Sequence, residues 1–183
     1  MHPLDLFQYC PVCGSPHFEE HNQKSKKCRD CGFTYYINPA AATVAFILRQ
    51  KAKGEGLKEG AELLVVRRGK EPAKGTLDLP GGFSDLYETS EEGVCREVKE
   101  ETGLTVERTE FLFSIPNRYL YSGLVVHTMD MFYLCHVSDT SEVCAMDDAA
   151  EAMWIPLQDI SPEDFGLDSV RQGVEKFLHF FTI

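Results

Sequence analysis

The sequence predicts an α/β fold, a mixed β-sheet covered by helices, with a small cysteine-bearing ribbon in front of it. Three observations predict it. Apolar runs of strand length recur at 42–48, 63–66 and 124–137, with alternation in 128–134. Helical patterns at 90–102 and 168–181 are interleaved with those runs, the order expected of a sheet covered on both faces. Two C-x-x-C-G knuckles, at Cys10 and Cys13 and at Cys28 and Cys31, precede all of these elements. The expected division is therefore a ribbon over 1–38 and a larger domain over 39–183.

The knuckles are separated by fourteen residues, the spacing of a zinc ribbon. Four thiolates close a tetrahedral Zn²⁺ site with no open position, so Cys10, Cys13, Cys28 and Cys31 are expected to hold a structural ion. His17 and His21 fall between the knuckles and are read as surface residues. Lys24, Lys26, Lys27 and Arg29 are read as a solvated basic face rather than a contact with RNA. So small a ribbon has too little core to fold without its metal.

After an exit at 35–39, residues 42–48 form a strand apolar on both faces. Residues 50–60, polar and glycine-rich, read as a loop. Residues 63–66 pair back as a strand that delivers Arg67 and Arg68 at its end, two guanidinium forks suited to phosphate. Beyond the turn at Pro80, Gly81 and Gly82, Thr89 and Glu92 stand three apart, a capping box that starts a helix near Ser90. Gly103 ends it, because a left-handed terminal residue costs any β-carbon a steric penalty. Glu97, Glu100 and Glu101 then share one face, beside an apolar stripe of Val94, Cys95 and Val98. Like charges at that spacing destabilise a bare helix, which points to a hard cation such as Mg²⁺.

Residues 105–114 and 124–137 read as strands with a turn between them, where Asn117, Arg118, Tyr119 and Tyr121 offer groups that suit a nucleotide. Asp147, Asp148 and Glu151 are expected in a loop ahead of a strand at 152–156, from which a carboxylate could act as base. Trp154 is read as core. The last helix carries Val170, Val174, Phe177, Leu178 and Phe181 at spacings of three and four. Cys95, Cys135 and Cys144 are expected to be reduced, the first two in the core.

The stretch 82–104 resembles the Nudix box, G-x5-E-x7-R-E-U-x-E-E-x-G-U with U aliphatic, through Gly82, Glu88, Arg96, Glu97, Val98, Glu100, Glu101, Gly103 and Leu104. At ordinary residue frequencies such a match arises about once in 10⁹ starts, which separates it from a merely solvated acidic helix. The resemblance implies an α/β/α sandwich from about residue 39 onward and hydrolysis of a pyrophosphate linkage in a nucleoside diphosphate joined to another group. It further implies Mg²⁺ or Mn²⁺ on Glu97, Glu100 and Glu101, oriented by Arg96 and Glu88, with Glu97 or Glu151 as base and Asp147 and Asp148 behind them. Arg67, Arg68, Arg118 and Tyr119 are the expected substrate contacts.

A ribbon ahead of such a domain is similar in layout to the NADH pyrophosphatase group. That group's S-Q-P-W-P-F-P signature is absent, and Ser114, Ile115 and Pro116 are a faint echo of it. Leu77 stands where the family often has Trp, so no aromatic platform is expected there. An ADP-ribose-like substrate is therefore expected ahead of NADH or NAD, and ahead of a non-catalytic regulator that senses a nucleotide or binds RNA.

The composition agrees. A chain of 183 residues, 43% hydrophobic, is sized for one ordinary domain with an appendage. A net charge of −11 argues against general nucleic-acid binding. Residues 1–9 have no basic region followed by an apolar one, and no apolar run reaches the roughly 20 residues of a membrane span. A cytoplasmic protein with no membrane partner is expected, and a homodimer is compatible with these features.

Overall fold

The computed structural model describes residues 3–50, 60–121, 123–138, 140, 143–146 and 149–182. Its backbone divides into two compact units, Met1–Ala40 with Arg118–Thr128, and Ala41–Asn117 with Met129–Ile183.

In the first unit, a short helix α1 (Pro3–Leu6) precedes an antiparallel sheet of β1 (Phe18–Asn22), β2 (Ser25–Cys28) and β3 (Thr34–Tyr36), in that order. Its core is small, Cys10, Phe18 and Cys28 with Phe33 against them. Lys26 departs from the expected solvated face. Its buried ammonium donates to the carbonyls of Leu4 at 3.2 Å and Phe7 at 2.6 Å, satisfying acceptors at the end of α1. Lys24 and Lys27 are exposed, as are His17 and His21, and Arg29 pairs with Glu19 at 2.6 Å.

In the second unit, β4 (Ala40–Gln50) lies at the centre of a sheet with the order β10-β5-β4-β9-β8. The other strands are β5 (Ala61–Arg68), β6 (Leu77–Asp78), β7 (Gly81–Phe83), β8 (Val106–Tyr121), β9 (Leu124–Val137) and β10 (Ala149–Pro156), with β6 paired to β5 and β7 to β4; the part of β8 beyond Asn117 and the part of β9 before Met129 belong to the first unit. The pairs β4–β5, β5–β10, β5–β6 and β4–β7 are antiparallel. Helix α2 is Ser90–Thr102 and α3 is Asp168–Thr182.

Alternation along the strands sorts the core into two layers. Val44, Phe46, Leu63, Val65 and Phe132 pack with Val170, Val174 and Phe177 of α3. Ala45, Ile47, Leu64, Tyr133 and Cys135 pack with Val94 and Val98 of α2. Since successive side chains of a strand point to opposite faces, one helix covers each face and the fold is an α/β/α sandwich. The rings of Phe46 and Phe177 stack with centroids 4.0 Å apart. Leu178 packs on the same layer, and the side chain of Phe181 lies outside the described residues.

Two strand limits differ from the sequence reading. β8 runs through Pro116 to Tyr121, so Asn117, Arg118 and Tyr119 are strand residues rather than a turn. β8 is an edge strand, the part of a sheet that admits proline. Glu151 lies inside β10, because the pairing with β5 continues to Ala149 opposite Arg68. The loop expected at 50–60 falls largely on residues outside those described.

Candidate active site and cysteine centre

Helix α2 begins and ends where its sequence dictates. Thr89 Oγ1 accepts the Glu92 N–H at 3.2 Å and Glu92 Oε2 accepts the Thr89 N–H at 2.7 Å. Gly103, at φ +75°, donates to the Lys99 carbonyl at 3.0 Å. Ser90 Oγ meets the hydroxyl of the buried Tyr133 at 2.5 Å, fastening the first turn to the sheet.

Arg96 is the hub of the helix face. Its Nε and Nη2 donate to the two oxygens of Glu88 at 3.1 and 2.8 Å, and Nη1 donates to Glu97 at 2.8 Å and Glu100 at 3.0 Å. Nη2 also donates to the Phe83 carbonyl at 3.0 Å, which ties the loop ahead of the helix to it. So many acceptors raise Arg96 above the usual guanidinium range, Glu88 first among them. In return the Arg96 guanidinium, with the Asp85 N–H, holds Glu88 below the usual carboxylate range. Burial pushes Glu97 the other way, against the pull of Arg96.

The glutamates face a backbone turn. Glu101, 8% exposed, accepts the Gly81 N–H at 3.1 Å. A β-carbon on Gly82 would stand 2.5 Å from Glu97 Oε1, and one on Gly81 would stand 2.1 Å from the Thr43 carbonyl. Only glycine lets β7 lie between β4 and these carboxylates. Glu100 remains half exposed. The donor set, three carboxylates beside a bare backbone turn, fits a hard oxygen-seeking cation.

The cysteine centre is already convergent. Sγ of Cys10 and Cys31 are 3.6 Å apart, as are those of Cys13 and Cys28. A tetrahedral Zn–S bond of about 2.3 Å implies edges of about 3.8 Å, so the four sulfurs fit zinc. The knuckles share one hydrogen-bond scheme. Gly14 donates to Cys10 O at 2.8 Å and Gly32 to Cys28 O at 3.0 Å, while Cys10 and Cys28 donate to Ser15 O and Phe33 O. The backbone N–H of Cys31, then that of Asp30, hold the Cys28 thiol down to about 6. Among the described residues, only this group brings three or more Cys, His, Asp or Glu ligand atoms within 4.8 Å of one another.

The remaining candidates are dispersed. Arg67 donates to Glu151 at 2.9 Å and to the Gly75 carbonyl at 2.9 Å, a cross-strand pair on β5 and β10. Arg68, its side chain 16% exposed, donates to Asp78 at 2.5 Å and to the Pro72 carbonyl at 2.7 Å. Asp78 is a partner that the sequence reading missed, and its only signal is an acid beside the Pro-Gly-Gly turn. Burial pushes Asp78 up, opposed by Arg68. Arg118 is exposed, and the half-buried Tyr119 stacks on Tyr121 with centroids 6.5 Å apart. Leu77 is core. Trp154 packs on the α2 layer with the Arg49 guanidinium 4.5 Å from its ring. Asp147 and Asp148 lie outside the described residues.

The fold is thus an α/β/α sandwich that sets a row of helical carboxylates against a glycine turn. Residues 39–177 match the family model of the NUDIX domain, and the chain belongs to the Nudix hydrolase family. It is 32% identical to the ADP-ribose pyrophosphatase of Methanocaldococcus jannaschii over 145 residues, 78% of this chain and 77% of that protein. It is 29% identical to the NAD-capped RNA hydrolase NudC of Deinococcus radiodurans over 153 residues, 84% of this chain and 50% of that one. The chain thus spans about half the length of the NudC relatives it matches. The crystal structure of the MutT NUDIX hydrolase from Burkholderia pseudomallei superposes with a TM-score of 0.60 at 27% identity, over 75% of this chain and 97% of that one. A NUDIX hydrolase from Nitrosomonas europaea, at 18% identity over 94% of this chain and 90% of that one, shares the fold with a TM-score of 0.67. No helix among the described residues is long and apolar enough to cross a membrane.

Proposed function

We propose that this Nudix hydrolase cleaves the pyrophosphate linkage of ADP-ribose or a close nucleoside-diphosphate analogue. The observation that carries the reading is the seating of the box on its turn, Glu101 on the Gly81 N–H and Glu97 against the bare α-carbon of Gly82. Glu97, Glu100 and Glu101 would hold Mg²⁺ or Mn²⁺ there. When bound, such a cation neutralises phosphate oxygens and acidifies a water.

The chain's own residues supply the rest. Arg96 and Glu88 set the directions of the carboxylates, as partners of metal ligands commonly do. Glu97 is the preferred proton acceptor for the attacking water, because it lies against Gly82 on the helix face that carries Glu100 and Glu101, whereas Glu151 lies on the outer strand β10. Glu151 is instead engaged by Arg67 on the edge of the sheet. Arg67, more exposed than Arg68, is the better phosphate contact, whereas Arg68 fixes β5 to the residue ahead of the turn. Arg118 and Tyr119 are candidates for the nucleoside. Residues 1–38 form a ribbon whose four cysteines hold structural Zn²⁺, and residues 39–183 the hydrolase domain.

Support for ADP-ribose comes from the archaeal relative, of which the chain covers 77%, and from the missing S-Q-P-W-P-F-P run. The four-cysteine ribbon and the NudC relatives favour a second reading, an NAD-type substrate. Both are tested by offering ADP-ribose, NADH, NAD-capped RNA, FAD, diadenosine polyphosphates and nucleoside triphosphates with Mg²⁺ and following AMP or phosphate release. The highest kcat/KM is expected for ADP-ribose. Preference for NADH or capped RNA would select the second reading, and no turnover of any would contradict both.

A further inference from the structure

The C-terminal turn of α2 carries Glu100 and Glu101, and a helix end leaves its last carbonyls without helical partners. Here a segment more than forty residues downstream supplies them. Met146 N–H donates to the Glu101 carbonyl at 3.0 Å and Cys144 N–H to the Thr102 carbonyl at 3.3 Å. Cys144 and Met146 stand two apart, so one short run meets two successive carbonyls. Met146 Sδ also lies over Gly103, 3.8 Å from where a β-carbon would stand. Gly103 takes the Lys99 carbonyl and Thr102 Oγ1 donates to the Val98 carbonyl at 2.6 Å. Glu101 is therefore gripped at both ends, its carbonyl by Met146 and its carboxylate by Gly81.

We propose that residues 143–146 are a clamp that positions the metal-holding end of α2, with Met146 as its principal positioning residue, acting through its backbone N–H. The proposal rests on Glu101 as a metal ligand. Of this segment only Val143 packs on the core layer beneath α2, whereas Cys144, Ala145 and Met146 are exposed. What it does is order a turn that would otherwise fray. A ligand fixed before its ion arrives loses less freedom on binding. By linkage, an ion that binds the ordered turn must tighten the clamp to the same degree.

The test is Mn²⁺ binding to the full chain, read by electron paramagnetic resonance, for wild type, Met146→Pro, Met146→Leu and Glu101→Gln. Met146→Pro removes the N–H and is expected to weaken Mn²⁺ about fivefold, the scale of one net hydrogen bond. Its Mg²⁺ requirement for hydrolysis should rise by the same factor, with kcat at saturating metal within about twofold of wild type. Met146→Leu keeps the N–H and should restore wild-type affinity. Unchanged Mn²⁺ affinity in Met146→Pro would overturn the clamp. A Glu101→Gln protein that binds Mn²⁺ like wild type would instead overturn the ligand assignment beneath it. Amide hydrogen exchange of the wild-type protein gives an answer independent of how the proline variant folds. Cys144 and Met146 should exchange more slowly with Mg²⁺ present, and identical exchange with and without the ion would overturn the clamp.

Discussion

The four cysteines of the ribbon and the three glutamates of α2 are both rows of metal-type ligands, yet the fold treats them in opposite ways. The sulfurs converge to 3.6 Å in two pairs, on knuckles whose backbone bonds repeat each other. The carboxylates do not close on one another in this way: Glu97 and Glu100 both accept from Arg96, and Glu101 accepts the Gly81 N–H. Soft thiolates define a closed centre by their own packing, as a structural site requires. A catalytic centre must keep positions open for water and phosphate, so its ligands lean on a protein cation until a metal competes for them. On the function proposed above, the difference separates a structural centre from a working one.

That contrast can be broken in several places. Chelation of divalent metal with a mild chelator should abolish hydrolysis while far-ultraviolet circular dichroism stays constant, since α2 is capped and packed without the ion. Collapse of the helical signal on the same treatment would make the box structural as well. Cys10→Ser should lose the expected zinc, about one ion per chain, and expose the ribbon to limited proteolysis, because a core this small depends on the metal. Retention of zinc by that variant would remove the cysteine assignment.

Arg96→Gln should lower kcat/KM about 10- to 100-fold, the usual effect of losing a group that orients ligands. Full activity would show that the glutamates need no organiser. The smallest effect sharpens the account most. Burial raises the Glu97 carboxyl, so its charged form costs stability at neutral pH, and the cost vanishes as pH falls through the raised value and then the ordinary one. Glu97→Gln should therefore raise the Tm of the metal-free protein near pH 7, with the gain shrinking in acid. A fall in Tm at neutral pH would mean that the bond to Arg96 outweighs the burial.

Much of this was legible in the sequence where the causes are local. The capping box at Thr89 and Glu92, the left-handed Gly103 and the i, i+3, i+4 row of glutamates depend on neighbours along one helix, and each lies where its spacing puts it. What depends on distant partners was not legible. Nothing near Lys26 announces that the carbonyls of Leu4 and Phe7 will receive its ammonium, so it reads as a surface charge and is buried. The stretch around Pro116 to Tyr121 reads as a turn, and only the pairing of β8 at an edge of the sheet shows that the strand continues through it. Glu151 reads as a loop acid until its register opposite Arg67 is known. Asp78 is invisible as the partner of Arg68 because β5 and β6 must first pair.

The most direct test of the central claim is the rate at which Glu101→Gln, with Mg²⁺ saturating for the wild type, releases AMP from the substrate the wild type hydrolyses best. One carboxylate oxygen is replaced by an amide NH₂ with little change of shape, the caps of α2 are untouched, and the proposed metal ligand is lost. The account predicts a fall of at least about a hundredfold. Hydrolysis at the wild-type rate would contradict it.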